Sequence, residues 1–240
     1  FSPPTNHISI MPLPCWKIWL SYLTELHIES TSSEYNPHLY VSLYKGRYQL
    51  STANAVYSFG DLYTNFSRTF DQWNWEKFPP NQVLLLGLGL CSIPVILETL
   101  HQQPCQFTAV EIDEEDVDLA YRYVLEGLES PIEMITADAA LVVQQLTPAS
   151  FDLICVDIFD DDVVPAAFEE TAFLEQATSL LRKGGVLLFN RLAANTADQE
   201  KSTAFYENTF RRVFPGSCCL DVGGNFMLVS NRHAILREDT

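Results

Sequence analysis

The stretch VLLLGLGLCSIPVILETL at residues 83–100 decides the fold. Its first part, VLLLGLG at residues 83–89, is a continuous apolar run that ends in glycines. Such a run is typical of a strand buried on both faces of a parallel sheet. The segment after it, SIPVILETLHQQ, has the apolar spacing of a helix. The stretch therefore predicts a strand, a tight turn and a helix in succession.

The same alternation recurs along the chain. Four more strands are predicted: FTAVEID at 107–113, IEMITAD at 132–138, FDLICVDIF at 151–159 and GVLLFN at 185–190. Helical patterns follow each of them, and Gly184 and Gly185 are predicted to stop the helix that precedes the last strand. Five strand–helix units predict an α/β protein with a doubly wound, mostly parallel sheet.

The C-terminal stretch SCCLDVGGNFMLVSN reads as two short strands around Gly223 and Gly224, which predicts an antiparallel hairpin. A dinucleotide-binding Rossmann sheet does not usually finish in this way, whereas class I methyltransferase-like folds insert an antiparallel seventh strand through such a hairpin. The sequence therefore favours the class I methyltransferase-like, Rossmann-like fold.

An N-terminal region differs in pattern. WKIWLSYLTELHIES and HLYVSLYKGRYQLSTANAVYS, between residue 16 and about residue 63, alternate aromatic and β-branched residues, with Lys45 and Gly46 at a turn. Pro79 and Pro80 then interrupt regular structure just before the alternating strand and helix pattern begins. We predict a small N-terminal β-domain at residues 1–78 and a Rossmann-like domain at residues 79–240.

Net charge, apolar runs and cysteine spacing indicate which partners and which cellular location to expect. The formal charge of -17 argues against nucleic acid as a partner and favours cationic ligands, although an acidic surface also serves solubility. The chain carries no apolar run of membrane-spanning length, and the opening FSPPTNHISIMPLP lacks the features of a signal peptide, which predicts a cytoplasmic protein without membrane contact. Six scattered cysteines, with no CxxC pair, read as reduced core residues; a redox pair at Cys218 and Cys219 is the alternative.

In open α/β sheets a ligand binds beyond the carboxyl ends of the strands, and four of those ends are polar here. Gly87 and Gly89 precede a helix and allow close approach of a ligand, but a plain tight turn is the alternative, since Ser92 replaces the third glycine of the dinucleotide fingerprint. Glu111, with Asp113 beside it, stands where a carboxylate accepts ribose hydroxyls. Both acids also suit the first turn of the next helix.

The other two polar ends are acidic as well. Asp138, followed by Ala139, is placed to accept the amino group of adenine, or to cap the next helix. Asp157 and the three aspartates at 160–162 suit a cationic centre, either a sulfonium or an amine, with an acidic surface loop as the alternative. No EF-hand pattern is present, and we predict no metal site.

At this point a family resemblance appears. The order of HLYVSLYKGRYQLSTANAVYS, VLLLGLGL, AVEID, TADA and DLICVDIFDDDVVPAAF, over about residues 16–230, resembles spermidine synthases and the wider spermidine synthase-like proteins. The resemblance implies an N-terminal β-domain packed on a methyltransferase-like domain, and binding of S-adenosylmethionine or its decarboxylated form. It also favours a homodimer and a small cationic acceptor.

The resemblance further implies roles for individual residues. The cofactor-binding set is Gln49, Gly87, Gly89, Glu111, Ile112, Asp138 and Ala139. Within that set, Glu111 would hold the ribose, and Asp138 with Ala139 would hold the adenine. Asp157 would be the catalytic carboxylate, orienting an amine and accepting its proton only as the new bond forms. Tyr57 and Asp160 would contact the acceptor.

Some positions depart from the family pattern. Leu90 stands where the family has an aspartate that contacts the amine of the cofactor tail, and Asn54 and Ala55 replace an Asp-Glu pair. Asn190 replaces a glutamine, and the charge of Arg191 beside it would repel a polyamine. The loop DVGGN before the last strand lacks the family's tyrosine. The adenosine half is thus better preserved than the acceptor half.

Three function classes follow. The first is a spermidine synthase-like transferase that moves a methyl or aminopropyl group from an adenosyl sulfonium to an acceptor, which we expect to be an amine. The second is an adenosyl-binding module that has lost catalysis. The third is an NAD-dependent oxidoreductase, favoured only by the glycine turn and Glu111, and opposed by the terminal hairpin and the missing third glycine.

Overall fold

The structure is a computed structural model that describes residues 14–53 and 55–236. The expectation about the opening segment concerns residues outside these ranges, apart from Pro14, and the departure at Asn54 also lies outside them. Within the described ranges the strands form a small sheet of four strands and a large sheet of seven strands. The predicted boundary at residue 79 falls in the stretch between the two sheets and stays a prediction.

The small sheet is antiparallel throughout, in the order β1-β2-β3-β4. Its strands are β1 at Leu26–Thr31, β2 at Leu39–Tyr44, β3 at Arg47–Ser51 and β4 at Val56–Ser58. Lys45 and Gly46 join β2 to β3, as predicted, and both have positive φ angles, 50° and 74°. A two-residue turn with that backbone matches the twist of a hairpin.

The sequence just before this sheet was predicted as part of the β-region, which is wrong for Cys15–Leu20, a short helix α1. Ser21 at its end donates a hydrogen bond to the carbonyl of Ile18 at 2.6 Å, and its Oγ accepts from the Gly46 amide at 2.9 Å. These bonds stabilise a helical end beside the β2–β3 turn, which strand propensity does not reveal. Cys15 is exposed on this helix, so its prediction as a core residue is wrong.

The large sheet has the order β10-β11-β9-β8-β5-β6-β7. Its strands are β5 at Gln82–Leu86, β6 at Gln106–Glu111, β7 at Ile132–Thr136, β8 at Phe151–Val156, β9 at Leu181–Leu192, β10 at Cys218–Asp221 and β11 at Asn225–Val229. β5 to β9 pair in parallel, and β11 lies antiparallel between β9 and β10. The predicted hairpin and the doubly wound sheet are confirmed.

Burial follows the pleat of the central strand β5. Val83 and Leu85 belong to the apolar cluster on one face, Leu84 and Leu86 to the cluster on the other, and none is more than 1% exposed. Successive side chains of a strand point to opposite faces, so a continuous apolar run means that both faces are covered.

Helices and single turns connect the strands. The α-helices are α2 at Thr64–Phe70, α3 at Ser92–Val95, α4 at Glu114–Tyr123, α5 at Ala139–Val142, α6 at Thr171–Leu180, α7 at Thr196–Phe205 and α8 at Arg211–Val213. α3 and α7 continue as π-helical turns at Ile96–Leu100 and Tyr206–Phe210, and 3-10 turns lie at Gly60–Leu62, Leu125–Gly127, Ala166–Glu169 and Arg232–Ala234. None of the helices in the described ranges is long and apolar enough to cross a bilayer.

One predicted helix stop is wrong. Helix α6 ends at Leu180, before Gly184 and Gly185, and both glycines lie inside β9. A Cβ on Gly185 would lie only 3.0 Å from the Phe151 carbonyl oxygen and 3.1 Å from that of Asp152. The glycine therefore serves the close approach of β8 and β9 where their register shifts.

Candidate functional site

A cavity of about 840 Å³ opens at the carboxyl ends of β5, β6, β7 and β8, a size within the range of ~300–1,000 Å³ typical of small-molecule sites. The small sheet supplies another wall through β3 and β4. This is the edge where the strand order reverses around β5, the general position of ligands in open α/β sheets.

All ten residues predicted for the site line this one cavity. They are Gln49, Tyr57, Gly87, Gly89, Glu111, Ile112, Asp138, Ala139, Asp157 and Asp160. Their convergence satisfies the geometric condition for a shared site, while the ligand role of each residue stays a prediction.

The glycine turn after β5 serves close backbone packing. Gly87 has φ +91°, and a Cβ there would lie 2.2 Å from the carbonyl oxygen of Asp157. Gly89 has φ +51°, and a Cβ there would lie 3.0 Å from the Cβ of Ser58 on β4. Ser92, which breaks the dinucleotide fingerprint, accepts a hydrogen bond from the Phe59 amide at 2.9 Å and shares one of 2.5 Å with the hydroxyl of Ser58. The turn therefore holds β8 and the small sheet against β5.

Glu111 is anchored by the backbone. Its Oε2 accepts from the Leu88 amide at 2.9 Å, and its Oε1 accepts from the amides of Ile112 at 2.8 Å and Asp113 at 3.1 Å. Burial raises the pKa of the Glu111 carboxyl, and these three bonds oppose that shift. The carboxyl group is thus fixed at the cavity wall, where its remaining lone pairs can accept hydroxyl groups of a ligand.

Two of the acidic residues cap helices, which was the alternative weighed for each. Asp113 accepts from the Glu115 amide at 3.0 Å at the start of α4, and it also accepts from Asn36 at 3.2 Å. Asp138 accepts through Oδ1 from the Ala140 amide at 2.8 Å at the start of α5. The Asp138 cap uses one oxygen, so Oδ2 can still accept a hydrogen bond from a ligand.

Asp157 lies at the end of β8, where its carboxyl group receives two hydrogen bonds. Oδ1 accepts from Nδ2 of Asn190 at 2.8 Å and from the hydroxyl of Tyr63 at 3.2 Å. Loss of solvation on burial raises the pKa of Asp157 to about 6, with a further rise from the negative charge of Glu111, while the two hydrogen bonds act in the opposite direction. A carboxyl group with this pKa can exchange a proton near neutral pH.

The hydrogen bonds of Asp157 continue into the terminal hairpin. Asn225 on β11 donates to Oδ1 of Asn190 at 2.9 Å, and Asn190 in turn donates to Asp157. Sequence analysis missed Tyr63 and Asn225 as site residues. Asn190 follows Phe189, which pairs with Val156, so its position beside Asp157 could have been read from the sheet register. Tyr63 precedes α2, and only tertiary packing brings it to the site.

Tyr57 connects the small sheet to the acidic loop after β8. Its hydroxyl accepts from the Asp161 amide at 2.7 Å and donates to Oδ1 of Asn36 at 3.2 Å. Burial raises the pKa of Tyr57, so it stays a neutral phenol. Because its hydroxyl is already engaged, Tyr57 presents mainly its ring to the cavity.

Asp116 on α4 is a further cavity residue that the sequence analysis missed. It is only 3% exposed, and its Oδ1 has no hydrogen-bond partner among the described residues. Leu119 and Ala120, three and four positions later, are fully buried. Asp116 therefore occupies the buried face of α4, and this helical spacing was the signal that could have found it.

The cavity wall is strongly acidic. Nine carboxyl side chains line it: Glu111, Asp113, Asp116, Asp138, Asp157, Asp160, Asp161, Asp162 and Asp198. Among the described residues that line it, none is Lys, Arg or His. No group of three or more potential ligand residues in the described ranges is arranged to hold a metal ion.

The predicted repulsion of a polyamine by Arg191 is wrong for this geometry. Arg191 is 6% exposed, forms an ion pair with Glu169, and lies 4.6 Å from the ring centroid of Phe205. Alternation along β9 sends Asn190 toward Asp157 and Arg191 to the opposite face. The positive charge of Arg191 is thus neutralised by Glu169 and does not face the cavity.

Comparison with known proteins agrees with this fold. No family model matches the chain. Among solved structures, a probable spermidine synthase from Corynebacterium glutamicum superposes with a TM-score of 0.62 and 18% identity, over 84% of this chain and 78% of that chain. Human methyltransferase-like protein 13, solved in complex with SAH, gives a TM-score of 0.53 and 21% identity, over 74% of this chain and 81% of that chain. The protein therefore has the class I methyltransferase-like fold.

Relatives are also recognised from sequence. A polyamine aminopropyltransferase of Vibrio vulnificus is 29% identical over 137 residues, which are 56% of this chain and 44% of the relative. The similarity thus spans less than half of the relative's length. Together with the fold, it confirms the predicted resemblance to the spermidine synthase-like family.

Proposed function

We propose that the protein is a transferase that moves the aminopropyl group of decarboxylated S-adenosylmethionine to an amine acceptor. The observation that carries the proposal is the acidic cavity, in which Asp157 lies at the same sheet edge as Glu111 and Asp138. The aminopropyltransferase relative supports this reaction class.

The charge of the wall favours the decarboxylated donor over S-adenosylmethionine. Both donors carry a sulfonium and an ammonium group, and S-adenosylmethionine adds a carboxylate. Nine carboxyl groups and no basic side chain line the described cavity, so that carboxylate would meet like charges without a cationic partner. Methyl transfer from S-adenosylmethionine is therefore the less favoured of the two predicted reactions.

The reaction requires one proton acceptor. The acceptor ammonium first loses one proton, which frees the nitrogen lone pair. The neutral amine then attacks the carbon beside the sulfonium, the C–N bond forms as the C–S bond breaks, and methylthioadenosine leaves. Passing that proton from an amine of pKa ~10.4 to an ordinary Asp of pKa ~3.9 costs roughly 9 kcal/mol. With the Asp157 pKa at about 6, the cost falls to roughly 6 kcal/mol. The raised pKa of Asp157 thus lowers the cost of forming the neutral amine, and attack on the carbon beside the sulfonium consumes that amine as it forms.

The test is a turnover assay that follows methylthioadenosine. The protein is incubated with decarboxylated S-adenosylmethionine and a panel of diamines, and separately with S-adenosylmethionine and the same panel. We expect methylthioadenosine with the first donor, no S-adenosylhomocysteine with the second, and loss of product in Asp157→Asn. If S-adenosylhomocysteine forms from S-adenosylmethionine and no methylthioadenosine forms from the decarboxylated donor, the reaction is methyl transfer and the proposal is wrong.

Binding measurements separate the remaining classes. Methylthioadenosine should raise the melting temperature, and NAD should not. Stabilisation by methylthioadenosine without turnover of either donor would identify an adenosyl-binding module instead. Stabilisation by NAD alone would point to the oxidoreductase.

A further inference from the structure

The side chain of Asp116 is buried in the cavity wall. It is 3% exposed, and its Oδ1 accepts no hydrogen bond from any described residue. A polar group left in this state costs free energy, because it has lost water and gained nothing in return. Such a group at the wall of a cavity is explained when a ligand completes its contacts.

The surroundings of Asp116 are negative. Burial, with the nearby charges of Glu111, Asp113 and Glu115, raises its pKa well above the ordinary value. The nearest basic residue on the same helix, Arg122, is already paired with Glu29 at 2.6 Å and with Glu115 at 3.1 Å. Among the described residues, the charges that act on Asp116 are all negative.

Tyr57 lines the same cavity as Asp116. Tyr57 packs against the apolar cluster that contains Leu119 of α4, and its hydroxyl accepts a hydrogen bond from the Asp161 amide. Tyr57 therefore lies between the acidic start of α4 and the acidic loop after β8. Its ring lines the cavity there, and an aromatic face also attracts cations.

We propose that Asp116 is the counter-ion of an ammonium group of the bound ligand, held between α4 and the ring of Tyr57. The inference rests on the proposed function, which supplies two sources of that ammonium: the aminopropyl tail of the donor and the amine acceptor. An ammonium group offers three donors and a positive charge, which match an unpartnered carboxyl group among like charges better than a neutral hydroxyl does.

The experiment compares dissociation constants for wild type and Asp116→Asn by calorimetry at neutral pH. In the donor arm the probes are methylthioadenosine and decarboxylated S-adenosylhomocysteine. The sulfur carries a methyl group in the first compound and an aminopropyl group in the second. In the acceptor arm the probe is putrescine, added to protein saturated with methylthioadenosine. The matched control is Asp118→Asn, which removes the same charge from an exposed position of the same helix.

We expect Asp116→Asn to bind methylthioadenosine like wild type and to lose about 10- to 100-fold in affinity for the amine probe of one arm, which identifies the source. Asp118→Asn should change neither. Unchanged affinity for both amine probes would overturn the proposal, and so would an equal loss for methylthioadenosine, because that pattern indicates a structural or nucleoside-binding role.

Two further outcomes keep the inferences separate. Methylthioadenosine binding by the variant shows that it is folded, and Asp116→Ser provides a second variant that must give the same pattern. Failure of the wild-type protein to bind methylthioadenosine would refute the proposed function itself, and this inference with it.

Discussion

Asn190 donates a hydrogen bond from Nδ2 to Oδ1 of Asp157 over 2.8 Å, and this bond is the larger of the two hydrogen-bond effects that lower the pKa of the carboxyl group. The second comes from Tyr63. Burial acts in the opposite direction and raises the pKa of Asp157 to about 6. The acidity of Asp157 is therefore set by residues from β9 and from the start of α2.

The first prediction concerns the pH dependence of turnover. In the proposed reaction the carboxylate form of Asp157 accepts the proton, so activity should rise as pH increases through about 6. Asn190→Leu removes a bond that stabilises the carboxylate, so the acid limb of kcat/KM should move to higher pH. Asn225→Ala, which removes only the bond to Asn190, should move it less. An acid limb that stays in place in Asn190→Leu would contradict the assignment of that limb to Asp157.

The second prediction links Asp157 to stability. The native carboxyl group has a pKa of about 6 against an ordinary 3.8, so between these values the native state binds the extra proton and stability falls as pH rises. Asp157→Asn keeps an acceptor at Oδ1 and cannot ionise. Its free energy of unfolding in urea should exceed that of wild type by up to about 3 kcal/mol above pH ~7, and match it below pH ~4.

A control variant makes the stability result specific. Asp118→Asn removes an exposed carboxylate of α4 and should leave the unfolding curve nearly unchanged at both pH values. Lower stability of Asp157→Asn at neutral pH would show that the charged form is better solvated than the burial of this site indicates.

The third prediction concerns the glycine turn. Gly87→Ala would place a Cβ 2.2 Å from the carbonyl oxygen of Asp157 at a φ of +91°. We expect a loss of about 3 kcal/mol or more, because both the contact and the backbone angle oppose the side chain. Gly127→Ala meets no atom within 4 Å and should change stability by less than about 1 kcal/mol. Equal unfolding midpoints for the two variants would contradict the close packing described at this turn.

The fourth prediction separates the two roles of Asp138. Asparagine caps helices as well as aspartate does, so Asp138→Asn should preserve the melting temperature. With Oδ1 still bonded to the Ala140 amide, Nδ2 would face the cavity and meet the amino group of adenine donor to donor. Affinity for methylthioadenosine should therefore fall about tenfold.

Asp138→Ala serves as the comparison, since it removes the cap as well. It should lose affinity and also about 1 kcal/mol of stability. If Asp138→Asn binds methylthioadenosine like wild type, Asp138 is a helix cap only.

The large sheet could be predicted from the sequence because each of its parallel strands is marked by its own run of apolar residues. The run at residues 83–86 has no polar residue to place outward, and it became the central strand β5. The polar strand ends at Glu111, Asp138 and Asp157 converged because parallel strands end at one edge. Position along the strand was enough to place them together.

The errors arose where tertiary contacts decide the local structure. α1 is fixed by hydrogen bonds to the β2–β3 turn, and Gly185 lies in a strand because β8 approaches it closely. The charge of Arg191 alone predicts repulsion of a polyamine, whereas strand alternation turns the side chain toward Glu169. In the sequence, Asp116 is indistinguishable from the solvated acidic residues that are common near a helix start.

The attachment of the small sheet through Tyr57 separates two parts of the cavity wall. The phenol joins β4 to the amide of Asp161, so this wall of the cavity is built from segments outside the strand ends that carry Glu111 and Asp138. Under the proposed function, substitutions in these outer segments would alter the fit of the amine acceptor and leave Glu111 and Asp138, the residues proposed to hold the nucleoside, in place. Under that proposal, acceptor choice would change through one side of the cleft alone.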